Sequence, residues 1–269
     1  MESVRSKDGT TIGFVRLGSG PPLVLVAGAS CDRAVHGELA ELLAEDFTVF
    51  NYDRRGRGDS GDTLPYAVER EVEDLDAVIT TGGGEARVFG NSSGAVLALR
   101  AAAAGVSITK LALWEPPLMT DPDAPQRHEA YVGKLIELLN AGHHGDAMAL
   151  FLKTIGMPDE TVTGMRQAPM WAGMETLAPT LLYDAFVMGD STLPTNLVTS
   201  VKVPTLVLDG SDTGAWAAQS AIALEEALPN PERHTFVGQN HAIAWGVLAP
   251  VLKQFFGEAT SSTRRKESM

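Results

Sequence analysis

Short, unbroken apolar runs alternate along this chain with stretches of helical periodicity, and few folds accept that rhythm. "PPLVLVAG" holds a continuous apolar run, and "FTVFNYD", "ARVFG", "ITKLALWEPP" and "VPTLVLDG" are short, apolar-rich stretches that read as further strands. Runs of that length suit strands buried on both faces. Between them, "CDRAVHGELAELLAEDF" offers Asp32 as a helix cap, followed by Val35, Leu39, Leu42 and Leu43 at helical spacing. "AVEREVEDLDAVITTGGG" is a helix closed by glycines, and "SGAVLALRAAAAG", "AWAAQSAIALEEALP" and "VLAPVLKQFF" continue the pattern. A chain written this way predicts the α/β class, a mostly parallel sheet flanked by helices. At its start, "VRSKDGTTIGFVRLG" places two strand-like runs around Asp8-Gly9, a dipeptide suited to a tight hairpin turn.

The rhythm breaks once. From Leu118 to Ser200 there are helical patterns such as "HEAYVGKLIELLNAG" and "AMALFLKTIG" and no clear strand. This predicts a discontinuous core domain over 1–117 and 201–258, a helical cap inserted over 118–200, and a flexible tail over 259–269. The insertion holds Met119, Met148, Met157, Met165, Met170, Met174 and Met188. Adaptable methionines can line a pocket for an apolar substrate or pack helices together, and the sequence leaves both readings open.

With 44% hydrophobic and 20% charged residues, the chain can bury a substantial core. Its formal net charge of −13 argues against a nucleic-acid partner or an anionic membrane surface, both of which need clustered Lys and Arg. No stretch reaches the roughly 18 apolar residues of a membrane span. The opening "MESVRSKDGTT" is polar rather than signal-like, and Cys31 is the single cysteine, so the expected location is cytoplasmic. A small-molecule substrate is the expected partner, and the sequence leaves the oligomeric state open.

The chemistry concentrates at "VFGNSSGA". Gly90-Asn91-Ser92-Ser93-Gly94 fits G-x-S-x-G with Ser92 at its centre; centring on Ser93 would require glycines at Asn91 and Ala95. The stretch follows a predicted strand and opens a predicted helix, the context in which a sharp turn pushes the central hydroxyl outward. Ser92 is therefore the candidate nucleophile, with the Ser93 backbone N–H as a candidate oxyanion donor at a helix start. His143 and His144 lack the carboxylate or cysteine spacing that completes a metal site and read as a solvated helix connection.

Read as a set, these stretches resemble the α/β-hydrolase fold superfamily over nearly the whole chain. "LVLVAGAS" resembles its oxyanion strand and loop, "YDRRGRGDS" its glycine-bearing turn, "PTLVLDGSD" its acid-bearing strand, and "VGQNHAIAWGVLAPVLKQFF" its terminal histidine loop and helix. The resemblance implies His241 as base, Asp212 as the triad acid, and the N–H of Ala29 as second oxyanion donor. Glu115 is the alternative acid, because some members of the fold place it after that earlier strand, whereas Asp209 reads as structural. Two departures are visible: Ala27-Gly28 stands in place of the common His-Gly pair, and Asn91 precedes the nucleophile where many relatives carry His.

The activity so implied is a serine hydrolase cleaving an ester or related acyl bond of a small apolar molecule through an acyl-enzyme, a reaction that needs no metal and no organic cofactor. C-C bond hydrolysis, thioester hydrolysis and cofactor-free perhydrolysis use the same machinery, and a non-catalytic binding protein on this fold is the competing class.

Overall fold

The computed structural model describes residues 1–257, so the tail predicted over 259–269 lies outside the described residues. Strands β1 (Glu2–Arg5), β2 (Thr11–Leu17), β3 (Pro22–Val26), β4 (Thr48–Tyr52), β5 (Ala86–Asn91), β6 (Ile108–Trp114), β7 (Thr205–Gly210) and β8 (Pro231–Phe236) form one sheet. Their order is β1-β2-β4-β3-β5-β6-β7-β8. The first two strands join antiparallel, and every pairing from β4 to β8 is parallel.

Period-two geometry sends alternate residues of each strand to opposite faces, and both faces are apolar. On β3, Val24 and Val26 pack into one cluster with Leu75, Val78 and Ile79 of α2 (Val68–Thr81) and Val96 and Leu99 of α3 (Ser93–Ala103). Leu23 and Leu25 enter the other, with Leu39 and Leu43 of α1 (Gly37–Leu43) and Leu248, Leu252 and Phe256 of α11 (Trp245–Gly257). Each such side chain contributes about 1.5–3 kcal/mol on burial, which is why unbroken apolar runs specify a two-sided sheet. Asp32 caps as its position implies, accepting the Ala34 N–H at 2.8 Å before a short 3-10 turn leads into α1.

The segment between β6 and β7 is helical: α4 (Ala124–Asn140), α5 (His144–Thr154), α6 (Asp159–Arg166), α7 (Trp171–Leu177), α8 (Leu181–Met188) and α9 (Thr195–Val198). It has an apolar cluster of its own around Leu135, Met148, Leu152, Trp171 and Leu181. Met148 is buried there, and Met157, Met165 and Met174 pack against it, so four of the inserted methionines fill space between helices. Ala29, from the loop after β3, also packs against this cluster, so the inserted helices lie over that loop. Helix α10 (Ala215–Ala227) follows β7.

The chain runs from β3 outward to β4, then crosses back to lay β5 on the other side of β3. Loops diverge at such a reversal and leave a crevice at the carboxyl ends of the strands. Register aligns those ends: Val26 faces Gly90, Asn91 faces Trp114, and Trp114 faces Leu208. The residues that follow, Ala27 to Cys31, Ser92, Glu115 and Asp209 to Thr213, are thereby brought to one edge.

Candidate active site

At the end of β5 the backbone turns abruptly. Ser92 has φ 55° and ψ −128°, outside the region a non-glycine residue prefers, and α3 begins at the next residue. Such backbone costs of order 1–3 kcal/mol and persists only where its surroundings impose it. They do so here because helix and sheet approach too closely for side chains. A Cβ added at Gly90 would lie 2.5 Å from Gly94 O, and one at Gly94 would lie 2.4 Å from Val26 O. The two glycines of the motif are thus packing requirements that hold Ser92 at the crest of the turn.

Two main-chain donors come from residues next to the serine: Ser93 follows it, and Ala29 follows Gly28, where an added Cβ would lie 3.1 Å from Ser92 Cβ. The N–H groups of Ala29 and Ser93 form no hydrogen bond among the described residues. Unspent main-chain donors near a hydroxyl are groups that can stabilise charge on a tetrahedral oxyanion. Burial pushes the Cys31 thiol up to about 11, the opposite of what a nucleophilic thiol needs.

The imidazole of His241 finds its carboxylate just past the end of β6. His241 Nδ1 lies 2.6 Å from Glu115 Oε2, and the Glu115 side chain is fully buried whereas that of His241 is 42% exposed. Glu115 Oε1 accepts from Gly210 N–H at 2.8 Å and from Thr213 Oγ1 at 2.6 Å. Both carboxylate oxygens are therefore held in charge-assisted hydrogen bonds, which lets the buried charge orient the ring. Glu115 itself has φ 43°, and this left-handed residue turns its side chain across the end of β7. The Trp114 indole donates to His241 O at 3.1 Å and Trp216 lies 5.9 Å from the imidazole, fixing the loop that carries it.

Asp212, expected to be the acid, does not meet the imidazole. It is exposed, its carboxylate accepts from Ser211 Oγ at 2.7 Å, and its backbone N–H donates to Gln239 O at 2.9 Å. Ser211 and Asp212 shape the histidine loop through their main chains, and the position facing Nδ1 is filled from the end of β6 instead. Asp209 is buried and paired with Arg233 at 3.1 Å and Thr235 Oγ1 at 3.0 Å, a tie between adjacent strands. Ser92 Oγ and the imidazole form no hydrogen bond in this structure; in sites of this chemistry that contact commonly tightens only around substrate.

Several residues beneath the site escaped the sequence reading. His36 is fully buried between Phe89 and Trp245, with Nε2 2.8 Å from Asn91 Oδ1 and, among the described residues, no partner for Nδ1. Burial lowers it to about 4, although the Asn91 bond works the other way, so the ring is neutral and donates through Nε2. Arg54, Arg55 and Arg57 are all buried, and Arg54 forms a bidentate pair with Glu71 at 2.7 and 2.8 Å. The one sequence signal was three arginines in a turn after an apolar strand, together with a lone Asp184 inside "LLYDAFVM".

A family profile described as Alpha/beta hydrolase family matches residues 23–250. An alpha/beta hydrolase of solved structure from Sphaerobacter thermophilus is 51% identical, covers 95% of this chain and 100% of its own, and superposes with a TM-score of 0.84. The enol-lactonase from Burkholderia xenovorans shares the fold at 19% identity, with 96% and 100% coverage and a TM-score of 0.72. Among curated proteins, N-formylmaleamate deformylase from Pseudomonas putida is 34% identical over 147 residues, 51% of this chain. The matched stretch spans 53% of that relative's length.

Proposed function

The chain belongs to the alpha/beta hydrolase family, and from that membership we propose that it is a serine hydrolase acting on an ester or related acyl bond of a small, apolar molecule. The observation that carries this reading is the Glu115–His241 pair at the same sheet edge as Ser92 on its left-handed turn. Glu115 holds the imidazole with its proton on Nδ1, leaving the Nε2 lone pair to take the proton of Ser92. Ser92 Oγ attacks the acyl carbon, and the N–H groups of Ala29 and Ser93 receive the developing oxyanion. His241 then protonates the leaving group. Water, deprotonated by the same imidazole, releases the acid and restores the serine.

Two of the relatives are named for acyl bonds, an N-formyl bond in the deformylase and an enol lactone in the lactonase, and they support this reading. For this chain the bond type follows from which leaving group His241 can protonate beneath the inserted helices.

Exposure to a fluorophosphonate probe tests the proposal. Ser92 Oγ displaces fluoride at phosphorus, and intact mass spectrometry of the wild type is expected to show a single adduct that Ser92→Ala lacks. An unlabelled, folded wild type, or labelling that survives Ser92→Ala, removes the serine-hydrolase reading.

A further inference from the structure

Between the inserted helices and the two oxyanion donors lies a buried ionic cluster that the reaction as written does not use. Asp184, on α8, accepts from Ser93 Oγ at 2.8 Å and from Arg54 Nη1 at 2.7 Å through Oδ1, and from Arg57 Nη2 at 2.7 Å through Oδ2. Arg57 Nη1 in turn donates to Gly28 O at 2.7 Å and to Cys31 O at 3.3 Å. Arg54 Nη1 also reaches Ala27 O at 3.2 Å. Two guanidinium groups face the two carboxylates of Glu71 and Asp184, so the cluster is internally balanced.

The peptide group whose carbonyl Arg57 holds is the one whose N–H belongs to Ala29. Arg57 therefore grips an oxyanion donor by its opposite end, and its second contact, to Cys31 O, brackets the loop from the other side. A cation on a peptide oxygen draws electron density from the nitrogen and strengthens what the N–H can donate, by roughly 10–30% per bond in cooperative networks. The other donor is held just as directly, since the Ser93 hydroxyl is bonded to the same Asp184. A second observation agrees: Arg57 Nε is buried with no partner among the described residues, a cost that an ion pair selected for stability alone would avoid.

We infer that Asp184 is a positioning residue of the inserted segment, aligning the Ala29 donor through Arg57 and the Ser93 donor through its hydroxyl. The inference rests on the serine-hydrolase reading above. In consequence the oxyanion site is complete only with α8 docked, which ties the covering helices to the chemical step as well as to substrate binding.

The test measures kcat and KM on a short-chain p-nitrophenyl ester, and the affinity of an alkylboronic acid that mimics the tetrahedral stage, for wild type, Arg57→Lys, Asp184→Asn and Ser93→Ala. Active-site concentration is counted by fluorophosphonate titration, so that partial unfolding cannot imitate a slow site. A lysine keeps the charge but cannot span Gly28 O and Asp184 together. Folded Arg57→Lys and Asp184→Asn are expected to lose about tenfold to a hundredfold in kcat, with KM within about threefold and boronate affinity falling in parallel with kcat, the mark of an interaction made in the transition state. Should those two variants fail to fold, Ser93→Ala decides, because it leaves Asp184 with both arginines: a several-fold fall in kcat and boronate affinity supports the inference. Wild-type kcat and boronate affinity in the folded variants, or a rise in KM alone, overturns it. Wild-type turnover that survives Ser92→Ala would instead overturn the hydrolase reading, and the inference with it.

Discussion

Glu115→Gln is expected to lower kcat by about 10³- to 10⁴-fold, whereas Asp212→Asn stays within about threefold of wild type. The reason lies in what surrounds each carboxylate. Oε1 of Glu115 sits against two donors, Gly210 N–H and Thr213 Oγ1, so a glutamine keeps its oxygen there and turns its NH₂ toward the imidazole. His241 Nδ1 must then accept, which moves the ring proton to Nε2 and removes the lone pair that would deprotonate Ser92. The loss corresponds to about 4–5.5 kcal/mol of barrier. Asp212→Asn changes an exposed side chain whose partner is Ser211. Steady-state turnover of an aryl ester, with active sites counted by phosphonate labelling, compares the two; collapse in Asp212→Asn with activity retained in Glu115→Gln would return the acid to the end of β7.

The second large effect is on stability. Lowering the pH from 6.5 to 4 is expected to remove about 2.5 kcal/mol through His36 alone, because its folded pKa of about 4 lies below the unfolded value of 6.5. Below pH 6.5 the unfolded chain binds a proton that the buried ring refuses, so stability falls with pH until the folded ring also protonates near 4. The buried carboxylates act elsewhere on the scale. Burial works to raise Asp184 and Glu71, but the arginines facing them overcome it and hold both below the ordinary carboxylate range. Their contribution is intact above the unfolded carboxylate pKa and is lost as pH falls through their folded values. His128 is also lowered by burial and so loses stability in the same direction as pH falls, which makes the informative quantity a difference. Urea unfolding across this range should show a steep decline for wild type and a shallower one for His36→Gln, which keeps a donor for Asn91 but does not titrate. Equal slopes for the two proteins would exclude His36 as the source.

Much of the architecture was legible locally. The inner parallel strands are apolar stretches with little room for a solvated face, whereas β8 at the sheet's edge is polar and largely exposed. Asp32 before one helix and the glycines that follow Thr81 after another mark boundaries through residues a turn away. The choice between Ser92 and Ser93 was equally local, since Gly90 and Gly94 stand symmetrically about one serine only, and the close approach of α3 to Val26 explains why both must be glycine. The inserted segment was legible as helical by period. Its methionines stayed ambiguous because a flexible side chain gives the same pattern whether it faces a pocket or a neighbouring helix.

Which carboxylate meets His241 was not legible. Glu115 and Asp212 both follow a strand at the edge where His241 arrives, and separating them requires knowing that β6 ends in a left-handed residue whose side chain crosses β7. Nothing in "WEPP" or "DGSD" states that direction. Arg57 and Asp184 pose the same difficulty over 127 residues of separation, where a charge inside an apolar pattern signals a buried partner without saying which one.

The sequence by itself determined the elements, their order, the position of the sharp turn and the identity of the serine upon it, because these follow from backbone preferences and periodicities that act over a few residues. Only the tertiary structure decided which carboxylate holds His241 and which helix stands behind Ser93 and the loop that carries Ala29. Those pairings depend on strand register, on the crossing of helices over the sheet edge and on separations of 2.6 to 2.8 Å, quantities set by the packing of the whole chain.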